Sequence, residues 1–435
     1  MPSSSVFSPE CQTDWRKATG DKQQMHPEVL LAFAFTFRKP WVLSRHHVQA
    51  EGQMTDRASG ESYFLYHSIG QYAGKSADLA AAMAEFAAVW GKPDDQQWPY
   101  ALGKRQDFIS RWRAILNAPE WTITTTESVT ASLSSLIGAL PPDTLRGRKI
   151  LVAGDCFPSV HFLLTGLQDR LGFNLHTVPL RQGATWTEDE DILSTWGPDV
   201  ALALLTWISS TSSHRSDIER LVAHGRSMGS IIGVDITQGA GLLPFDVMAP
   251  AVDFTISTSL KWMCGTPGAG ILHVAAPLIE RCQPTLRGWF SQPNPFNWDF
   301  GSFSYAPDIR RFDHGTPGVI AAVASLPALD WHATQDQAAI LAHNRDLSRL
   351  ILEGVTDLGL HLASPRNESQ RGGSIMVALP SEVPAHDVLT AFRNEGISAD
   401  ARSQTLRLSP GVMTTSVGTE KMLSVLAEVC RHSKK

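Results

Sequence analysis

The stretch STSLKWMCGTPGAG, Ser257 to Gly270, decides the reading of this 435-residue chain together with GVDITQGAG, Gly233 to Gly241. In the first, Lys261 follows an apolar, strand-like run and precedes a glycine-rich turn; in the second, Asp235 closes the apolar run IIGVD. The lysine comes 26 residues after the acid. Around the pair, short apolar runs alternate with amphipathic stretches: KILVAG (149–154), a helix from about Ser159 to Leu171, LHTVPL (175–180), VALALLT (200–206), a helix from about Asp217 to Met228, then IIGVD, DFTIST (253–258) and GAGILHV (268–274). Near-continuous apolar runs separated by helices are what a buried, mostly parallel sheet requires, because helices cover both of its faces. The middle third is expected to be an α/β core.

Further out, SADLAAAMAEFAAVW (Ser76 to Trp90) and a stretch from about Lys104 to Leu116 carry apolar residues at helical spacing. After Pro317 the pattern predicts a long helical tract from Val319 to about Leu358. The strand-like SIMVAL (374–379), a helix from His386 to Asn394, the strand-like TLRLS (405–409) and a last helix from Glu420 to about Arg431 follow. The expected division is an N-terminal arm over 1–62, a large domain over 63–312 and a small C-terminal α+β domain over 313–435.

Composition narrows the function classes. With 43% hydrophobic and 18% charged residues, the chain is globular rather than disordered, collagen-like or coiled-coil. Its 43 acidic and 37 basic residues leave a net charge of −6, which gives a polyanion such as nucleic acid no electrostatic reason to bind. The five cysteines are widely spaced with no C-x-x-C pair, so no metal site is expected and the thiols read as reduced. The early apolar run from Val29 to Phe37 is too short for the roughly 20 residues that span a bilayer. The start MPSSSVFSPE lacks a basic region followed by an apolar core, so a cytoplasmic protein without a membrane partner is expected.

Asp235 and Lys261 suit one cofactor. Pyridoxal 5'-phosphate needs a carboxylate to keep its pyridine nitrogen protonated and a lysine to form the Schiff base with its aldehyde. Taken singly, Asp235 could cap a strand and Lys261 could be a solvated lysine. Other parts of such a site appear in order, however. TTTESVTASLSSLIGAL (124–140) reads as a Ser/Thr loop opening into a helix, where Thr130 and nearby N–H groups could cradle a phosphate. In DCFPS (155–159), Phe157 leaves a strand end and could stack on the ring, and in RRFDHGTPG (310–318), Thr316 sits in a turn at the domain junction.

On these residues the chain resembles the fold-type I pyridoxal-phosphate enzymes of the class V aminotransferase group, and within it the kynureninases, over roughly Tyr63 to Arg431. YHSIG (66–70), SVTASL (128–133), DCFPS, GVDITQGAG, LKW, RGWF (287–290) and LRLSP (406–410) carry the likeness. The resemblance implies a mostly parallel seven-stranded sheet flanked by helices, with a smaller C-terminal domain. It implies Val129, Thr130 and Ser259 near the phosphate, Phe157 over the ring, Asp235 on the pyridine nitrogen, and Thr206 and Gln238 beside the cofactor. Lys261 would be the Schiff base and proton shuttle, and Arg407 and Ser68 would meet an amino-acid substrate. Trp289 and Thr316 would reach the cofactor of a neighbouring subunit, so a homodimer with shared active sites is expected.

Four departures bear on the reaction. Val160 stands where kynureninases have an aspartate, Gln238 where a histidine is usual, Leu260 where a tyrosine precedes the lysine, and His314-Gly315-Thr316-Pro317 replaces an N-P-P segment. Three readings follow: kynureninase-like Cβ–Cγ cleavage of an aryl or bulky amino acid; an aminotransferase, deaminase, lyase or epimerase of specialised metabolism; or a non-catalytic relative. Cysteine desulfurases share the fold, but the stretch GISADARSQTLRL (396–408) has no cysteine where they carry their nucleophile.

Overall fold

Each apolar run in the middle of the chain is too short to bury itself and too apolar to face water, so the runs pair side by side and helices close over them. The computed structural model describes residues 60–432. The proposed arm over 1–62 lies almost wholly outside the described residues. The main sheet contains β1 (Ile123–Thr126), β2 (Lys149–Ala153), β3 (Asn174–Val178), β4 (Val200–Thr206), β5 (Ile231–Asp235), β6 (Phe254–Thr258) and β7 (Gly270–Val274). Their order is β1-β7-β6-β5-β4-β2-β3, and only β7 runs against its neighbours. This is the expected mostly parallel, seven-stranded arrangement. β4 and β6 are buried almost along their whole length, as a strand covered on both faces must be.

Between β4 and β5 runs the helix Ile218–Met228, started by the Asp217 side chain accepting from the Arg220 N–H and stopped by Gly229 at φ 72°. Its apolar residues Ile218, Leu221 and Val222 lie against the sheet in the same core as Ile232 and Val234. Helix Pro158–Leu171 opens on a proline that has no N–H to leave unsatisfied, and ends at Gly172 with φ 72°.

The second sheet, of β8 (His361–Leu362), β9 (Ile375–Ala378), β10 (Asp400–Arg402) and β11 (Thr405–Leu408), is antiparallel in the order β10-β11-β9-β8. Helices Gln337–Asp357, Ala385–Asn394 and Ser416–His432 contribute to its separate core.

Packing departs from the expected division in two places. The long helical tract divides into two helices, Ile320–Ala333 and Gln337–Asp357, because Asp336 takes an extended backbone and caps the second through the N–H groups of Ala338 and Ala339. The first of these is apolar nearly all round, so it buries against helices Lys75–Trp90 and Gln97–Leu116 and shares the main-sheet core through Ala322, Leu326 and Leu329. In the other direction, Tyr63 and Leu65 bridge to Ser398 and Ser409, and Phe64 is buried in the second core.

Candidate active site

Parallel strands bring their carboxyl ends to one edge of the sheet, where ligands bind in α/β folds. The register places Thr206 beside Asp235 at that edge, and Thr258 beside Gly270, which in turn pairs with Thr126. The loops leaving β1 and β2 add the start of helix Val129–Ala139 and Phe157. Together they line a cavity of about 380 Å³ whose wall includes Val129, Thr130, Phe157, Thr206, Asp235, Gln238 and Lys261. Seven positions spread over 133 residues of sequence therefore meet in one hollow.

Lys261 is projected by a tight turn. Ser259 N–H bonds Ala269 O at 2.9 Å, Gly265 N–H bonds Ser259 O at 2.7 Å, and Cys264 N–H bonds Lys261 O at 2.8 Å. Gly265 is needed there, since a Cβ would lie 2.6 Å from Ser259 Cβ. Burial pushes the Lys261 amine down to about 8, against the pull of Asp235 and with a further push from Arg407 and Arg402. Burial raises the Asp235 carboxyl above its ordinary value, opposed by hydrogen bonding from Thr237 and by the Lys261 charge. The Thr237 N–H reaches Asp235 Oδ1 at 2.9 Å. Lys261 Nζ stands 5.4 Å from the centre of the Phe157 ring.

At the other end of the cavity, Ser128 caps helix Val129–Ala139 by accepting from Ala131 N–H at 3.1 Å. The N–H groups of Val129 and Thr130 are in the first turn and have no intrahelical acceptor, so this end favours an anion. An aromatic face, a buried acid, an amine of lowered proton affinity and a helix start ringed by hydroxyls are the donors and acceptors that pyridoxal phosphate requires, and the residues fit it.

The family model described as Aminotransferase class-V matches residues 107–427. The chain belongs to the class V aminotransferases. Its cofactor is pyridoxal 5'-phosphate. This class V aminotransferase is 27% identical over 266 residues to a kynureninase of Deinococcus radiodurans, a match covering 60% of the chain and 62% of the relative. It is 25% identical over 337 residues to the uncharacterized aminotransferase YcbU of Bacillus subtilis, covering 76% of the chain and 85% of the relative. Its fold matches that of a cysteine desulfurase from Thermococcus onnurineus with a TM-score of 0.76 and 18% identity, covering 89% of the chain and 99% of that structure.

Five expected positions do not line the cavity of this class V aminotransferase. Ser259 points away: its hydroxyl accepts from the Trp112 indole N–H at 3.2 Å, and Thr258, one residue earlier, lines the cavity instead. Arg407 is buried and bonded to Asp400, although its charge is felt at Lys261. Ser68 is half-buried on a segment whose Gly70 N–H bonds Leu260 O at 2.9 Å. Trp289 lines a separate hollow of about 470 Å³ with Trp298, Phe300 and Phe303, which holds neither Asp235 nor Lys261. Thr316 is exposed.

Sequence reasoning missed Thr258, Glu127, Ser159, Ile208, Ser210, Pro267 and Gly268 as cavity residues. For Thr258 a signal was present: it is the last residue of an apolar strand that ends at the sheet's carboxyl edge. Ile208 and Ser210 lie on the loop after β4, whose path depends on bonds such as Arg215 N–H to Gln370 O, far away in sequence.

Proposed function

We propose that this class V aminotransferase acts on an aryl or otherwise bulky amino acid by kynureninase-like cleavage of the side chain between Cβ and Cγ, as a homodimer with shared active sites. The observation that carries the reading is the Lys261–Asp235 pair in a cavity whose other walls include Phe157, Ile208, Leu260 and Pro267, apolar surfaces suited to an aromatic side chain. The likeness to kynureninases supports it. Bound pyridoxal phosphate supplies an electron-accepting ring that stabilises negative charge at the substrate α-carbon. Asp235, at the end of β5, would hold the proton on the ring nitrogen. Val129, Thr130 and Thr258 would hold the phosphate, and Phe157 would cover one ring face. With its amine at about 8, Lys261 is partly neutral near pH 7, so its Nζ can take the substrate α-proton and return it. Arg407 would receive the α-carboxylate.

Homodimerisation is supported by the exposed aromatic segment at Phe296, Trp298 and Phe300, with exposures of 70%, 74% and 101%. That segment adjoins Trp289, one of the two residues expected to reach a neighbour's cofactor. The other, Thr316, is held in register with it, since Phe290 N–H bonds His314 O at 3.3 Å and Ser291 Oγ bonds Asp313 O. Sedimentation of the holoprotein should give a dimer; a fully active monomer would contradict the shared site.

Leu260 favours a second reading. It lines the cavity as a plain hydrocarbon beside the lysine, where the kynureninase likeness expects a phenol. Its absence is what supports transamination or deamination as the alternative. Incubation with L-kynurenine and 3-hydroxykynurenine, with and without a keto-acid acceptor, separates the two. Fluorescent anthranilate-type product without acceptor supports cleavage, and turnover that needs the acceptor supports transfer. Sulfur transfer is not proposed, because the stretch 396–408 carries no cysteine before the last strand, and burial pushes the Cys156, Cys264 and Cys282 thiols up to about 12, far from the thiolate such chemistry uses.

A further inference from the structure

Arg407 does not wait alone. On β11 it stands directly opposite Asp400 on β10, and its guanidinium donates Nε–H to Asp400 Oδ1 at 2.8 Å and Nη2–H to Asp400 Oδ2. This two-point fork occupies one edge of the guanidinium and leaves Nη1 outside it. Behind the carboxylate stands His67, buried to 2% exposure, with Nε2 at 3.0 Å from Asp400 Oδ1. His67 Nδ1 lies 2.7 Å from Ser409 Oγ, which lies 2.6 Å from Ser374 Oγ.

One protonation pattern satisfies this row. Burial works against the Asp400 carboxylate, but His67 and Arg407 together hold it down at about 2, so it is ionised and only accepts. Burial likewise lowers His67, with Asp400 opposing, so the ring is neutral near pH 7 and must carry its proton on Nε2, facing the carboxylate. Nδ1 then accepts from the Ser409 hydroxyl. The unit of Arg407, Asp400 and His67 carries no net charge and has one orientation.

The same histidine is tied to the cofactor elements. Its carbonyl accepts from Gln238 Nε2 at 3.1 Å, and three residues on, Gly70 packs so tightly that a Cβ would lie 1.9 Å from Lys261 O. The orientation of Arg407 is thereby fixed relative to the turn that carries the lysine. We propose that Asp400 and His67 are positioning residues that hold Arg407 as a preset receptor for the substrate α-carboxylate, with the Nη1 edge left for the incoming group. This rests on the reading of Arg407 as the carboxylate site.

The test titrates the visible absorbance of the holoenzyme with L-alanine and L-kynurenine, each compared with its carboxamide. Wild type should prefer the acids. Asp400→Asn and His67→Ala should weaken binding of both acids by about tenfold or more, the scale of a lost hydrogen bond to a charged group, and leave the amides within about twofold. His67→Gln, which keeps a donor near the Nε2 position, should restore most of the loss. Tighter binding of the acids to Asp400→Asn would show the carboxylate to be a competitor of the substrate, and an equal loss for acids and amides would show a general defect of folding. Either result, or no change, overturns the proposal. Arg407→Ala separates it from the reading beneath: if that variant keeps the wild-type preference for acids over amides, or if the wild type shows no such preference, the assignment of Arg407 itself fails.

Discussion

Lowering the proton affinity of Lys261 speeds capture of the cofactor at neutral pH. An ordinary lysine, at 10.5, is neutral in only about one molecule in 3,000 at pH 7, whereas an amine at about 8 is neutral in about one in ten. Only the neutral amine attacks an aldehyde, so on the neutral fraction alone the buried site should capture pyridoxal phosphate up to about 300-fold faster than an exposed lysine at that pH, less the lower nucleophilicity of a weaker base. The sign follows from burial, which disfavours the charged form of a base. Mixing apoprotein with pyridoxal phosphate in a stopped-flow spectrometer from pH 6 to pH 10 should give a rate that climbs about tenfold per unit and flattens near pH 8. Asp235→Asn removes the group that holds the amine's proton on, so its plateau should begin at lower pH. A rate still climbing to pH 10 in wild type would refute the reasoning, and a plateau unmoved or raised in Asp235→Asn would refute the part given to that carboxylate.

Two further predictions come from the packing around the site. Thr258→Val should loosen cofactor retention, read by dialysis and residual absorbance, while Ser259→Ala should leave it nearly unchanged and cost about 1 kcal/mol of stability for the lost Trp112 bond. Asp313→Ala strips Arg105 of its buried carboxylate partner at 2.7 Å, which should destabilise the fold by about 3–5 kcal/mol in denaturant unfolding. It should also release Thr124 Oγ1, which donates to the same oxygen at 2.6 Å.

How much of this was legible in the sequence depended on whether the governing contacts were local. Strand ends were readable because an apolar run that stops at a polar residue announces the edge of a buried sheet, as IIGVD does at Asp235 and VALALLT at Thr206. The alternation of runs and helices then put Asp235, Phe157, Thr130 and Lys261 on the same side without any long-range information. Ser259 was misplaced because the chain turns between Thr258 and Lys261, so one residue of register decides which hydroxyl enters the cavity and which faces Trp112. The row from His67 to Asp400 and Arg407 was invisible for another reason. His67 lies more than 300 residues before Asp400 and Arg407, and meets them where Tyr63 bridges to Ser398 and Leu65 to Ser409. Helix Ile320–Ala333 was assigned to the wrong neighbours on the same ground: an all-round apolar helix says that it is buried, but not against what.

Borohydride reduction of the purified protein, followed by peptide mass spectrometry, tests the central claim most directly. The account predicts a pyridoxyl adduct on Lys261 alone, and none after the same treatment of Lys261→Ala. An adduct fixed mainly on another lysine, or one that survives in Lys261→Ala, would contradict it.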